Sequence, residues 1–376
     1  MNILFCSWNE VSPYVGGVER KITNLLSHLP NNENNYYSLY VNSVPNDIYK
    51  PPFEETIKIK IKEDNTLAIQ DFIQRNNIKV CICLSEITFL YNVITKLSTI
   101  GGLRIITNHT ATPGSECLPY PKLSINLPLS YKRYYDYRSY LRQCYNAVYQ
   151  MSDHIVVMSP KHKEEYLNFG NIKDNGNKIS VISNMLSYSD YFDISQYKNK
   201  QKEVVVVGRL VEHVKRISVA LRIWEHIEQD KDLSEWHLSI IGDGESFSMY
   251  ENYINSHNLK RVTLEGTHDS LPYYRRASIL LMVSPKESWG NVLTEAQQNA
   301  CVPIAFDSLI AISQIIQDGD NGYVIPYKSL HIYKKRLISL MKDESKRRTM
   351  AMAALKSAHR FDPKAVAVKW HELINS

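Results

Sequence analysis

No apolar run in this chain approaches the ~18 residues of a membrane-spanning helix. The strand-like start at 2–7 meets Glu10 at once, leaving no signal-peptide hydrophobic region. The six cysteines include no Cys-x-x-Cys pair, and Cys6, Cys81 and Cys83 fall in strand-like apolar runs, where thiols act as small core residues. Charge of one sign is lacking too. The net charge is +5, with 19 Lys/Arg against 16 Asp/Glu in residues 1–185 and 25 against 23 in the rest, so neither half is a basic nucleic-acid module. Internal repeats, low-complexity tracts, a G-x-G-x-x-G fingerprint and His/Cys metal clusters are all missing. These absences argue against membrane-spanning, secreted, nucleic-acid-binding and dinucleotide-dependent proteins. They leave a cytosolic chain in a reducing compartment, with small anionic ligands expected and peripheral contact at the inner face of the membrane left open.

What is present is an ordinary globular composition, 44% hydrophobic and 22% charged, spread over 376 residues, a length that favours two domains. Strand-like runs at 3–6, 36–41, 57–61, 80–84, 103–107, 154–158 and 179–182 alternate with helical patterns at 18–29, 67–75, 86–97, 131–149 and 160–169. Such alternation predicts a parallel sheet covered on both faces. The polar, aperiodic stretch 186–202 reads as a linker. The same logic then recurs, with strands at 203–207, 237–241, 261–264, 279–283, 302–306 and 322–325 and helices at 217–229, 247–256, 291–300 and 330–341. The predicted fold is therefore α/β with two Rossmann-like domains, 1–185 and 203–360, and a terminal helical segment at 361–376.

Several loops carry chemistry. Gly16-Gly17 follows the first strand and allows positive φ and close backbone approach to a ligand. His109 lies just past a strand ending at Thr107, where open α/β sheets bind ligands. Arg209 and Lys215 follow the strand at 203–207 and could hold a diphosphate, although Glu212 as a salt-bridge partner would give either charge a structural account. Gly242-Asp243-Gly244 follows another strand and would let a base or sugar come close. Glu287 and Glu295 flank a Gly290-Asn291 turn that opens a helix, whose N–H groups and dipole attract phosphate. Seven tyrosines between 131 and 149, interleaved with Lys132, Arg133, Arg138 and Arg142, form an amphipathic helix. It reads as a core helix with a solvated basic face, or as a surface for anionic lipid.

GGVER at 16–20, GRL at 208–210 with the following lysine, GDG at 242–244, ESWGNVLTEA at 287–296, CVPIAFDS at 301–308 and DGDNGYVIP at 318–326 occur in the order of the family-four retaining glycosyltransferases. The chain closely resembles that family, continuously over the second domain and at three segments of the first. The resemblance implies a GT-B fold whose C-terminal helix crosses back to the first domain. It implies Glu287 on the transferred sugar, Glu295 on the nucleotide ribose and Arg209 with Lys215 on the diphosphate. Backbone N–H groups of Asn291 and Val292 would take the distal phosphate, Gly16 and Gly17 would approach the diphosphate, and His109 would lie near the sugar. Gly242 would belong to the nucleotide site. Two departures stand out: Ser288-Trp289 replaces the commoner glycine and phenylalanine, and Arg209 and Lys215 are one residue further apart than in many relatives.

The implied reaction moves a hexose or N-acetylhexosamine with retained configuration from a nucleotide diphosphate sugar, UDP above all, to a saccharide or lipid-linked saccharide in surface glycan biosynthesis. No metal and no cofactor are expected, since protein cations would carry the leaving-group charge. The other readings are an inactive nucleotide-sugar-binding subunit and a sugar-nucleotide epimerase or phosphorylase of the same fold. A phosphorylase should carry a lysine-bound pyridoxal site, for which the sequence has no motif.

Overall fold

The computed structural model describes all residues but 14–15, 30–33, 44–48, 62, 118–127 and 175–176, and within one helix also leaves aside the side chains of 128–131. It divides into two compact units, Met1–Ser187 with Pro363–Ser376, and Tyr188–Asp362.

The first unit holds seven strands: β1 (Asn2–Asn9), β2 (Asn35–Asn42), β3 (Glu55–Lys58), β4 (Val80–Ser85), β5 (Arg104–His109), β6 (His154–Val157) and β7 (Ile179–Val181). They form one sheet in the order β3-β2-β1-β4-β5-β6-β7, with every pairing parallel. Its helices are α1 (Gly17–His28), α2 (Thr66–Arg75), α3 (Ile87–Leu97), α4 (Pro113–Glu116), α5 (Pro128–Met151) and α6 (Pro160–Gly170). Strand order reverses between β1 and β4, the place where such sheets open a ligand crevice. On α5 the apolar face of the amphipathic helix is buried: Tyr134, Leu141, Tyr145 and Val148 lie in the core, and Tyr137 packs against it. The side chain of Tyr131 and residues 118–127 lie outside the described residues.

The second unit has β8 (Glu203–Val207), β9 (His237–Ile241), β10 (Val262–Gly266), β11 (Ile279–Met282), β12 (Val302–Phe306) and β13 (Tyr323–Ile325), ordered β10-β9-β8-β11-β12-β13. Again all are parallel. Its helices are α7 (Glu212–Lys215), α8 (Ser218–Glu228), α9 (Phe247–Ser256), α10 (Leu271–Arg276), α11 (Asn291–Gln298), α12 (Ile312–Ile315), α13 (Leu330–Lys342) and α14 (Glu344–Ala358). Helix α14 has no counterpart in the sequence prediction. It buries Ala351, Ala354 and Ala358 beside Met350 and Arg347, and an alanine stripe leaves only a faint amphipathic period.

The stretch 186–202, expected to be a linker, is instead strapped down. Gln298 Nε2 donates to the carbonyls of Tyr188 (2.8 Å) and Asp190 (3.1 Å), and Phe192 N–H donates to Gln298 O at 3.1 Å. Lys200 Nζ donates to the carbonyls of Tyr274, Ala277 and Asn299 at 2.8, 2.9 and 2.6 Å, and Tyr197 in the 3-10 helix Ile194–Asn199 is buried. On the strap's own side these hydrogen bonds are made by backbone groups and Lys200, so side-chain periodicity carries no trace of them.

The terminal helix α15 (Pro363–Asn375) closes the first unit. Val366, Trp370, Leu373 and Ile374 share a core with Ile22, Leu25 and Leu26 of α1 and with Leu29 just after it, and Arg104 donates to Ile374 O at 3.0 Å. Lys21 of α1 is buried with it, its ammonium 5.9 Å from the Trp370 ring centroid and without a hydrogen bond among the described residues. Burial lowers its pKa from 10.5 to about 7. Between those values the unfolded chain binds the extra proton, so this lysine makes stability rise with pH through that window. We therefore expect Lys21→Met to be more stable than wild type at pH 7, with a smaller gain on raising the pH to about 9.5. Urea unfolding of both proteins checks this, and parallel pH slopes would refute it.

Candidate active site

Strands β8 and β11 are sheet neighbours at the point where the second sheet's order reverses. The loop after β8 carries Arg209 and Lys215, and the loop after β11 carries Glu287. Adjacency brings them together: Lys215 Nζ forms an ion pair with the Glu287 carboxylate, both side chains about four-fifths buried (21% and 19% exposed). Glu212, the alternative partner, is engaged elsewhere. Its carboxylate accepts from Ser218 Oγ at 2.6 Å and Tyr250 Oη at 2.8 Å. The side chain of Arg209 is exposed and makes no hydrogen bond or ion pair among the described residues.

The loop bearing Arg209 is held through its backbone. Gly208 N–H donates to Ile241 O at 3.0 Å, Leu210 N–H to Asp243 O at 2.8 Å, and Ser246 N–H to Leu210 O at 2.8 Å. The two loops lie so close that a Cβ on Gly242, at φ +138°, would stand 2.0 Å from Gly208 O. One on Gly244 would meet the Leu210 backbone at 2.6 Å. The glycines expected to admit a base or sugar are thus required by loop-on-loop packing, which sets the position of Arg209.

Glu287 is fixed in a similar way. It bridges to Leu309 in parallel fashion, and Ser308 Oγ donates to Ser284 O at 2.8 Å, so the β11 loop lies along the end of β12. Gly290 caps α11 at φ +76°, ψ +66°, and a Cβ there would press Leu309 Cδ2 at 2.8 Å. A left-handed glycine brings no side-chain oxygen, and α11 has no side-chain cap where Asn291 and Val292 begin it. Glu295, one turn further on, is 2% exposed and accepts from Tyr274 Oη at 2.9 Å. Tyr274 lies on α10 and no sequence signal marks it as this partner. Trp289, a departure from the family pattern, is buried edge-on against Phe361 with ring centroids 5.2 Å apart.

In the first unit His109 is the last residue of β5, not the residue beyond the strand. Its ring is 1% exposed, edge-on to Tyr166 at 4.7 Å and 5.8 Å from Tyr145. Burial, with His162 nearby, holds its pKa well below the ordinary value, so the imidazole is neutral. Tyr145 in turn donates its hydroxyl to Glu116, which also accepts at 2.5 Å from Ile87 N–H and whose pKa burial raises to about 8. Gly16 is extended (φ −166°), and the expected positive φ is not used. Its lack of a side chain serves Glu19, whose Oε2 would lie 2.7 Å from a Cβ at 16 and whose Oε1 accepts from Asn9 Nδ2 at 2.9 Å. Glu19 thus ties the end of β1 to the start of α1, a role that the GGVER motif contains but the sequence reading did not assign. Gly17 is the first residue of that helix.

Among the described residues no group of three or more His, Cys, Asp or Glu could hold a metal ion, and no helix is long and apolar enough to cross a membrane. Residues 188–357 match the family model for glycosyl transferases group 1. The chain is similar to the amylovoran biosynthesis glycosyltransferase AmsD of Erwinia amylovora, 29% identical over 60% of this chain and 63% of that protein. It is also similar to the poly(glycerol-phosphate) alpha-glucosyltransferase of Bacillus subtilis, 27% identical over 47% of this chain and 26% of that protein. The matches span less than two thirds of either relative. Among solved structures, sucrose-phosphate synthase from Thermosynechococcus elongatus superposes with TM-score 0.76 at 15% identity, covering 100% of this chain and 98% of that one. Anabaena HepE in complex with UDP-glucose gives TM-score 0.76 at 15% identity, covering 100% and 99%.

The loop packing is testable without a ligand. Gly242→Ala should destabilise the protein by more than about 2 kcal/mol, since both positive φ and a backbone clash oppose it. Gly266→Ala, at φ +75° with open space around its Cβ, should cost only about 1 kcal/mol. Guanidinium unfolding compares the two, and equal losses would mean that the loops can part.

Proposed function

We propose, on the premise that residues 188–357 form a glycosyl transferases group 1 domain within a GT-B fold, that the protein transfers a sugar from a nucleotide diphosphate donor with retention. The transferred group is a hexose or N-acetylhexosamine, the nucleotide is UDP, and the acceptor is a saccharide or lipid-linked saccharide of a surface glycan. One observation carries the reading: the Lys215–Glu287 pair, assembled from the loops of two adjacent strands at the second sheet's switch point. The relatives named for polysaccharide and polymer glycosylation support the acceptor class, and the UDP-glucose complex of HepE supports the nucleotide. A cytoplasmic site of action, at the inner face of the membrane for lipid-linked acceptors, is part of the proposal.

In this mechanism Arg209 and Lys215 hold the diphosphate, and the backbone N–H groups at the start of α11 take its distal phosphate. Departure of the leaving group builds negative charge there, and each preorganised donor contributes about 2.7–4 kcal/mol in comparable oxyanion sites. Glu287 holds the sugar hydroxyls next to Lys215. Glu295, buried and oriented by Tyr274, binds the ribose. The Gly16-Gly17 loop of the first unit is assigned to substrate binding, and His109, neutral and 1% exposed, is assigned a positioning role near the sugar. The incoming hydroxyl attacks from the face the diphosphate leaves, and the departing phosphate oxygen takes its proton. Protein cations carry the charge, so EDTA should leave the rate unchanged.

Glu287→Ala should lower kcat about a hundredfold or more with UDP affinity kept within about tenfold, because the carboxylate serves the sugar. Glu295→Ala should weaken UDP itself. Transfer that persists undiminished in Glu287→Ala would overturn the assignment, and an inverted anomeric product by NMR would overturn retention.

A further inference from the structure

We infer that the second unit carries an additional phosphate-binding recess, on the sheet face opposite α11, formed by Arg216, Arg222 and Lys328 around Tyr327. The recess holds about 180 Å³ and is floored by Val283 and Phe306 at the carboxyl ends of adjacent strands. That is room for about six waters at about 30 Å³ each, enough for a phosphate group and part of its carrier. Val283 and Phe306 belong to the core shared with α8 and α13, whereas Gly290 at the start of α11 packs toward Met282, whose side chain takes the other face of β11.

The charge at the recess is of one sign. No carboxylate lines it, and none of the three cations forms an ion pair among the described residues. Tyr327 organises two of them: Arg216 Nη1 donates to its hydroxyl at 3.2 Å, and Lys328 Nζ stands 5.5 Å from its ring centroid. Arg216 and Lys328 also hold left-handed backbone, φ +51° and +68°, where a glycine would be free of strain. Two cations at glycine-favouring positions, facing a third around an aromatic wall and an apolar floor, match a phosphate on a partly apolar carrier. The carrier is a lipid head group or a small soluble phosphate compound.

The inference goes beyond the transferase reading, and its test reads binding alone. Full-length protein is titrated with inorganic phosphate by calorimetry, and sedimented with phosphatidylglycerol or phosphatidylcholine vesicles. The variants are Arg222→Gln/Lys328→Gln and Lys328→Gly, which keeps the backbone conformation. A soluble phosphate site predicts that each variant weakens phosphate binding about tenfold or more, and that the wild-type binding persists in protein saturated with UDP. A head-group site predicts binding to phosphatidylglycerol and not phosphatidylcholine vesicles, lost in the double variant. No binding in either arm, or binding that the recess variants leave unchanged, overturns the inference.

Discussion

Adjacency of β8 and β11 is the constraint on which the candidate site depends. Lys215 and Glu287 lie 72 residues apart in the chain, yet their loops leave neighbouring strands in the same direction. A parallel sheet sends every such loop to one edge, and reversal of strand order parts the loops from the helices that would otherwise cover them. Under the proposed reading, an anionic donor at that edge would meet Arg209 and Lys215 from one strand, Glu287 from the next, and the start of α11 behind it.

Rigidity comes from backbone packing. The loop of Arg209 is bound to the loop after β9 so closely that glycine is the only residue that fits at 242, and the loop of Glu287 lies along the end of β12. Preorganised charge stabilises a transition state without reorganising when the reaction occurs, so in the proposed reaction these contacts would act by holding the loops of Arg209 and Glu287 in place. The first unit achieves similar order by side chains. Glu19 joins β1 to α1, and burial between Tyr145 and Tyr166 keeps His109 neutral.

Much of this architecture was legible in the sequence because buried parallel strands are short continuous apolar runs. The strands at 203–207, 237–241 and 302–306 were placed to the residue. The ends of α1, α2 and α3 shifted by one residue, within the ordinary uncertainty of helix termini. Missed were the short helices α4, α7, α10 and α12, and with them α14, whose buried face is mostly alanine, and the strap at 188–202, held in large part through carbonyls and Lys200. Short length, alanine and backbone contacts leave no clear periodic trace. The carboxylates around Gly290 stood out because a glycine at a helix start, preceded by a strand, is a local pattern.

The partners of those residues were not local. Lys215 had Glu212 three residues away as an apparent partner, and pairs instead with a carboxylate from another strand; Glu295 takes the hydroxyl of Tyr274, and Gly242 gives way to Gly208. By itself the sequence determined which segments are strands and helices and which residue types stand at their ends, since burial periodicity and turn chemistry are encoded within a few residues. Only the tertiary structure decided which of those ends meet, because strand order brings together loops from distant parts of the chain.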